Sequence, residues 1–210
     1  EEITHLLCWV PPASLDVYPN LQVVISSGAG VDQMPALPEK VSLSRCLAPG
    51  ISQMVRDWVV MATLMLHRDM PLYLEQARAG DWTAHNPRAV QKTRIGIMGL
   101  GRIGRLAAHS LADLGFPVSG WSKSGNPVDG IEVFAHDGLD RFLAATNVVI
   151  CLLPLTPMTR GLMDASFFAA LPKGAALVHA GRGAHLDMDA LHNAIETGHV
   201  SYAMLDVTNP

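Results

Sequence analysis

The sequence predicts an α/β protein whose parallel β-sheet is covered by helices on both faces. Three observations support this: 49% of the 210 residues are hydrophobic, the length allows one or two domains, and short apolar runs alternate with helical patterns. Uninterrupted apolar strands are typical of parallel sheets buried on both faces. We expect six strands, as in a doubly wound domain: Arg94 to Met98, Pro117 to Trp121, Ile131 to Phe134, Val148 to Leu152, Ala176 to Val178 and Ser201 to Leu205.

Helical patterns separate these strands and also precede them. Within the strand region they run from Ile103 to Leu114, Leu139 to Ala144, Ala165 to Ala170 and Met188 to Thr197. A longer pattern covers Ser52 to Ala79, with Pro71 as its predicted kink or break and Gly80 as its stop. Because this segment is apolar on more than one face, we expect it to lie between domains or at a subunit contact.

The N-terminal residues predict part of a smaller second domain. Three strand-like runs, Ile3 to Val10, Leu21 to Ile25 and Val41 to Ser44, have little helix between them, which is too few elements for an independent α/β layer. The chain begins at Glu1 without a Met and stops at Pro210 directly after a strand-like run. We therefore expect that both ends are cut.

Composition argues against several classes of partner. The net charge of -4 is spread along the chain without a run of Lys or Arg, which argues against nucleic acid. Neither a membrane-length apolar stretch nor a signal peptide is present, so we expect no membrane partner and a cytoplasmic protein. The three widely spaced cysteines predict buried thiols rather than disulfides, and the nine histidines lack paired ligand spacing, so no metal site is predicted.

A glycine-rich segment gives the first indication of chemistry. Gly99-Leu100-Gly101-Arg102-Ile103-Gly104 directly follows a predicted strand and opens a predicted helix, as a dinucleotide-binding loop does. In such a loop the first glycine allows the tight turn, the second lets the backbone approach the pyrophosphate, and the third lets helix and strand pack closely. We therefore assign residues 51–210, including the long helix, to a Rossmann domain that binds a nicotinamide cofactor, and residues 1–50 to a partial substrate domain.

The choice of cofactor depends on the residues after the second strand of that domain. Trp121 is followed by Ser122-Lys123-Ser124, where an NAD-binding domain carries an acidic residue for the ribose. Hydroxyls and an ammonium group favour the 2′-phosphate of NADP(H), although NAD(H) remains possible. The alternative is that Lys123 is simply a solvated loop residue.

Two further loops follow the carboxyl ends of strands, where such sheets bind ligands. One carries Leu153, Pro154 and Thr159, and the other carries Arg182. A planar, permanently charged guanidinium suits a substrate carboxylate and can polarise an adjacent carbonyl oxygen, so Arg182 is the leading catalytic candidate over the alternative of an exposed Arg. The small-residue turn Gly28-Ala29-Gly30 can present backbone amides to a ligand.

These motifs together resemble the D-2-hydroxyacid dehydrogenases, most closely their glyoxylate/hydroxypyruvate reductase A branch. The resemblance covers nearly the whole chain and rests on Gly28-Ala29-Gly30-Val31-Asp32, the glycine loop, Trp121-Ser122-Lys123-Ser124, Leu153-Pro154-Leu155-Thr156-Pro157 with Thr159, Gly181-Arg182-Gly183, and Gly198 followed by Ala203-Met204-Leu205-Asp206-Val207. It implies that the smaller domain is flavodoxin-like and that the active site lies in the cleft between the domains.

The resemblance also implies a role for each matching residue. Ala29 and Gly30, with Gly28, offer amides to the substrate carboxylate, Arg182 holds the carboxylate and the reacting oxygen, and Trp9 lines the substrate pocket. The residues implied to contact the cofactor are Gly99, Leu100, Gly101, Arg102, Ile103, Gly104, Trp121, Ser122, Lys123, Ser124, Leu153, Pro154, Thr159, Ala180, Gly181, Arg182 and Asp206, the last facing the nicotinamide.

Two departures from the family pattern accompany this assignment. The Glu and His that supply the family's acid/base would lie past Pro210, so residues 1–210 lack them. His179 and Gly181 stand where relatives commonly have Asn and Ala, which we expect to loosen contacts on the nicotinamide side.

The expected reaction is reduction of a small 2-keto acid, such as glyoxylate or hydroxypyruvate, to a D-2-hydroxy acid by NAD(P)H. The resemblance also implies a homodimer formed through Ser52 to Ala79. Two alternatives stay open: a corepressor-like binding protein that senses the nicotinamide cofactor, and an NAD-dependent D-2-hydroxyacid dehydrogenase. Fold alone does not separate an enzyme from a sensor.

Overall fold

The structure is a computed structural model that describes residues 2–209. The described residues form two compact units, and the division falls between Ser52 and Gln53, inside the first helix. None of the helices in residues 2–209 combines the length and the apolar character needed to cross a membrane.

The N-terminal unit is built on a small parallel sheet. Its strands β1 (His5–Cys8), β2 (Val23–Ser26) and β3 (Ser42–Arg45) pair in the order β1-β2-β3. A small core of Leu21, Val24 and Val41 packs beneath the sheet. The predicted first strand, Ile3 to Val10, is longer than the observed one, because pairing stops where the four-residue β2 ends.

The C-terminal unit has a six-stranded parallel sheet in the order β6-β5-β4-β7-β8-β9. The chain starts at the central strand β4, adds β5 and β6 on one side, and then returns to add β7, β8 and β9 on the other side. This order confirms the predicted doubly wound fold. Its elements are β4 (Ile95–Met98), α3 (Arg102–Asp113), β5 (Val118–Trp121), β6 (Glu132–Phe134), α4 (Leu139–Ala144), β7 (Val148–Cys151), α5 (Ala165–Ala170), β8 (Ala175–His179), α6 (Met188–Glu196) and β9 (Val200–Leu205).

The long N-terminal helical pattern is two helices rather than one. Helix α1 (Pro49–His67) begins before the predicted start, and α2 (Met70–Ala79) follows after a break at Asp69, whose φ is 53°. Pro71 lies in the first turn of α2, where its missing N–H group is tolerated, and Gly80 ends that helix in a left-handed conformation. The predicted break and stop are therefore confirmed.

Alternate residues of the central strands pack into two hydrophobic cores, one on each face of the six-stranded sheet. Val148 and Ile150 of β7 point to one face, where they pack with residues of α1 and α3. Val149 and Cys151 point to the other face, which α4, α5 and α6 cover. Because both faces are covered, the strands read as continuous apolar runs, which is why the sequence identified them.

The cysteines are only partly as predicted. All three are free thiols, and Cys151 is buried in β7, but Cys8 and Cys46 are half-buried. The expectation of three buried thiols is therefore wrong for these two. Both lie at the carboxyl edge of the small sheet, which is too thin to enclose them.

Two aliphatic side chains provide a test of this core. Leu111 of α3 is fully buried, whereas Ile195 of α6 is 39% exposed. We expect Leu111→Ala to lower the free energy of unfolding by about 2–5 kcal/mol, because it leaves a cavity, while Ile195→Ala lowers it by less than about 1 kcal/mol. Urea titration followed by circular dichroism measures both, and equal effects would contradict the assigned packing of α3.

Candidate active site

The glycine-rich loop joins the end of β4 to the start of α3. Gly99 has a φ of 99°, a conformation that L side chains rarely adopt, and its N–H donates to the Trp121 carbonyl at 2.9 Å. A Cβ on Gly104 would lie only 1.8 Å from the Gly99 oxygen. A Cβ on Gly101 would meet nothing within 4 Å, so the loop leaves open space in front of the first turn of α3.

This arrangement fits the pyrophosphate of a dinucleotide. The N–H groups of the first helical turn lack intrahelical partners and carry the positive end of the helix dipole, which favours an anion. Leu100 is buried and Arg102 is exposed at the first position of the helix. All three roles predicted for the glycines therefore have a matching geometry.

The segment after β5 forms a tight turn at the same edge of the sheet. Trp121 is buried, and its ring lies 6.1 Å from that of His136. Its Nε1 has no hydrogen-bond partner among residues 2–209. Lys123 is exposed and has no ion pair within the described residues, so its charge is available to an anionic group.

The loop after β7 is held by a threonine. The Thr159 hydroxyl donates to the Pro154 carbonyl at 2.8 Å and accepts the Thr156 N–H at 2.9 Å. Leu153 is buried, whereas Pro154 is exposed. The loop that the sequence assigned to the cofactor is therefore held in shape by hydrogen bonds of its own threonine.

Arg182 lies on the loop that follows β8, and it is half-buried. Its backbone is extended, with a φ of -139°, and its Nη1 donates to the Gly181 carbonyl at 2.9 Å. The next residue, Gly183, packs directly against the backbone of Thr208 and Asn209. Asp206 is exposed, and its N–H donates to the His179 carbonyl at 2.9 Å, which ties the end of β9 to the end of β8.

Two histidines beside Arg182 were missed as site residues. His179 and His185 are fully buried, and together with Cys151 they bring ligand-type atoms within 4.8 Å of one another. In the sequence the histidines fall in different predicted elements without paired spacing, but the strand register places His179 beside Cys151. The departure at position 179 was the only sequence signal for this cluster, and nothing marked His185.

The hydrogen bonds of this cluster involve the backbone. His179 Nε2 donates to the Arg182 carbonyl at 2.9 Å, while His185 Nδ1 accepts the Arg182 N–H at 3.0 Å. Burial lowers the pKa of His179 to about 4 and raises the pKa of the Cys151 thiol to about 12, so both are neutral near pH 7. A metal ion there would need a thiolate and would have to compete with backbone partners for the His185 ring.

In the N-terminal unit, the turn after β2 is organised by polar side chains that sequence analysis did not single out. The Ser26 hydroxyl donates to the Gly30 carbonyl at 2.9 Å and accepts the Gly28 N–H at 3.3 Å. Gln33 Nε2 donates to the Ser26 hydroxyl at 3.2 Å. Within residues 2–209, the N–H groups of Ala29 and Gly30 donate no hydrogen bond. The turn therefore presents two adjacent unpaired amides, as an anion site requires.

Two larger side chains border the same turn. The Trp9 ring packs against Gly28, where a Cβ would lie 2.4 Å from it, and the side chain is 52% exposed. Arg45 Nη1 donates to the Ala29 carbonyl at 3.4 Å. A guanidinium and an aromatic face thus flank the open amides, consistent with binding a small carboxylate.

Comparison with known proteins gives the same assignment. A sequence profile described as the NAD-binding domain of D-isomer-specific 2-hydroxyacid dehydrogenases matches residues 60–210. Glyoxylate/hydroxypyruvate reductase A from Yersinia enterocolitica is 36% identical over 97% of this chain and 68% of its own length.

Solved structures are similar as well. The D-isomer-specific 2-hydroxyacid dehydrogenase from Xanthobacter autotrophicus Py2, in complex with NADPH and MES, is 40% identical with a TM-score of 0.94, over 100% of this chain and 68% of that one. The NADPH-dependent glyoxylate/hydroxypyruvate reductase from Sinorhizobium meliloti, in complex with NADP and sulfate, is 34% identical with a TM-score of 0.91, over 100% and 69%. The chain therefore belongs to the D-2-hydroxyacid dehydrogenase family, in its glyoxylate/hydroxypyruvate reductase A branch.

Proposed function

We propose that this protein reduces small 2-keto acids, such as glyoxylate and hydroxypyruvate, with NADPH as the hydride donor. The observation that carries the proposal is the pairing of an open glycine loop at the N-terminus of α3 with Arg182 at the same carboxyl edge of the sheet. The relatives from Yersinia and Sinorhizobium are named for this reaction. The cofactor, when bound, supplies the hydride, and the protein supplies binding, orientation and electrostatics.

We assign the cofactor contacts to the loops on that edge. The pyrophosphate binds at Gly99–Gly104, and the 2′-phosphate binds at Ser122, Lys123 and Ser124, where the unpaired ammonium group is the main charge. The loop with Leu153, Pro154 and Thr159, the loop with Ala180 and Gly181, and Asp206 line the nicotinamide side. NADP(H) is therefore preferred over NAD(H), because no carboxylate follows Trp121 to repel the phosphate.

We assign a binding role to Arg182 in the C-terminal unit and, separately, to the turn after β2 in the N-terminal unit. The Arg182 guanidinium binds the substrate and stabilises negative charge that develops on the ketone oxygen, and the amides of Ala29 and Gly30 offer a binding place for a small carboxylate. Trp9 covers the apolar part of the substrate. The family's Glu and His have no counterpart in residues 1–210, so proton donation is not assigned to this chain's residues.

Arg182 provides the direct test of this function. In the full-length protein, Arg182→Gln should lower kcat/KM for glyoxylate and hydroxypyruvate by about 10²–10³-fold, because it removes a charge that stabilises the developing oxyanion. Arg88→Gln, at an exposed arginine between α2 and β4, is the control and should change it little. Oxidation of NADPH followed at 340 nm measures both. Full activity in Arg182→Gln would refute the assignment, and NADPH binding without reduction of either acid would favour the sensor.

Lys123 provides the test of cofactor choice. Lys123→Asp should lower kcat/KM with NADPH by about 10–100-fold, because a charge-assisted hydrogen bond is replaced by repulsion, and it should improve use of NADH. The control is Lys173→Asp, which makes the same change of charge at an exposed turn before β8. If the ratio of NADPH to NADH use stays the same in Lys123→Asp, Lys123 does not bind the phosphate.

We also propose that the chain forms a homodimer through α1 and α2, as expected from their apolar surface. Along these helices Met54, Met61, Met70 and Leu74 are exposed. A groove of about 840 Å³ runs beside them, with Val60, Leu64, Met65 and Tyr73 in its lining. The lining also includes Arg56, Asp57 and Arg68. A second copy of the chain is the occupant we favour, because an exposed surface that is mainly apolar marks subunit interfaces.

A charge in the groove tests the dimer. Met61→Asp should convert the dimer into a monomer in size-exclusion chromatography with light scattering, because it places a carboxylate in an apolar interface. Met188→Asp is the matched control, since the two methionines are 46% and 44% exposed and Met188 lies on α6. A dimer that persists in Met61→Asp would exclude this face.

A further inference from the structure

His179 and His185 hold the backbone of Arg182 from both sides. The carbonyl of Arg182 accepts from His179 Nε2 at 2.9 Å, and its N–H donates to His185 Nδ1 at 3.0 Å. His185 Nε2 is in turn 3.3 Å from the Pro154 carbonyl. Arg182 lies between β8 and a short 3₁₀ turn, and its carbonyl also accepts the backbone N–H of His185 at 2.9 Å, so the two imidazoles add to one backbone hydrogen bond.

The partners determine where the protons sit on both rings. His185 Nδ1 receives an N–H group and must carry a lone pair, so its proton is on Nε2, where it can donate to Pro154. His179 faces a carbonyl with Nε2, so its proton is also on Nε2. His185 is therefore neutral. The Nδ1 atom of His179 is buried without a hydrogen-bond partner among residues 2–209, so a second proton there is unfavourable, in agreement with the low pKa that burial gives His179.

The two rings also explain the glycine at position 181. They pack edge to face with centroids 5.7 Å apart. A Cβ on Gly181 would lie 2.9 Å from His185 Nδ1 and 3.2 Å from His179 Cε1, closer than ordinary contact. The His185 ring has little room to shift, because it is held by hydrogen bonds to Arg182 and Pro154 and packs against the His179 ring. A smaller side chain at position 179 would free that space, so the two departures from the family pattern compensate each other.

We propose that His179 and His185 are positioning residues that hold the Arg182 backbone, and that Gly181 is required because the two imidazole rings together fill the space of a side chain. The proposal rests on the proposed function of Arg182 and deepens it. Orientation of a catalytic group within a fraction of an ångström matters because displacement by about 1 Å can lower a rate about 10²-fold. The histidines act through Arg182 and need not touch the substrate.

Pairs of variants at each histidine separate positioning from packing. His179→Gln keeps an N–H donor at the reach of Nε2, whereas His179→Leu removes it. His185→Asn keeps an acceptor at the position of Nδ1, whereas His185→Leu removes it. We expect each leucine variant to lower kcat/KM for the keto acid by about 10–100-fold, and each amide variant to recover most of that loss. His192→Leu, at a side chain that is 74% exposed, is the control.

Binding of NADPH separates loss of positioning from loss of folding, because a variant that fails to fold also loses the cofactor. The dissociation constant of NADPH should rise by a smaller factor than kcat/KM falls in His179→Leu, because the glycine loop on α3, which binds the pyrophosphate, is untouched and only the nicotinamide side adjoins position 179. Equal losses in the leucine and amide variants would overturn the proposal, as would full activity in His179→Leu. If a leucine variant fails to fold, the amide variant alone still tests whether the hydrogen bond suffices.

A double-mutant cycle tests the compensation between positions 179 and 181. Gly181→Ala alone should lower Tm by several degrees and reduce kcat/KM, because its Cβ has no room beside His185. In the His179→Asn background the same alanine should be nearly neutral. Additive effects would overturn the steric part of the proposal.

The failure of this proposal differs from failure of the proposed function. If Arg182→Gln abolishes reduction but the histidine variants behave like His192→Leu, the function stands and the positioning role is wrong. If Arg182→Gln leaves reduction intact, the function assigned to Arg182 is wrong, and the histidine results no longer bear on catalysis.

Discussion

The close approach of α3 to β4 is the constraint on which the site depends. The backbone of Gly104 contacts the Gly99 carbonyl so closely that any side chain at position 104 would collide with it. This contact seats the start of the helix on the end of the strand, so the amides of its first turn face the open space in front of Gly101. Without it, the helix could still form but its dipole would not be directed at the carboxyl edge of the sheet.

The topology of the sheet then places the other loops on the same edge. Because all six strands are parallel and the order turns back between β4 and β7, the loops after β4, β5, β7 and β8 all leave from one side. Lys123, Thr159 and Arg182 reach this edge from different parts of the chain. The sheet therefore supplies a rigid frame, and the loops supply the chemistry.

Buried polar side chains form hydrogen bonds with the backbone of the loops that carry the proposed binding groups. His179 and His185 would be poor choices for a core unless each formed hydrogen bonds, and both use them on the backbone of the loop that carries Arg182. In the N-terminal unit the Ser26 hydroxyl bridges Gly28 and Gly30, and the N–H groups of Ala29 and Gly30 donate no hydrogen bond within residues 2–209. In both units, buried polar side chains shape a loop whose exposed groups are the ones proposed to bind.

The sequence by itself determined the elements and the glycine loop. The six strands, the break before Pro71 and the turn at Gly99 are local features, because apolar runs, a proline and a glycine act on their own backbone. Only the tertiary structure decided that Cys151, His179 and His185 converge, that Cys8 and Cys46 are half-buried, and that Gly181 faces two imidazoles. These properties depend on strand register and on which neighbours lie across a loop, and residues far apart in the chain leave no periodic signal of such contacts.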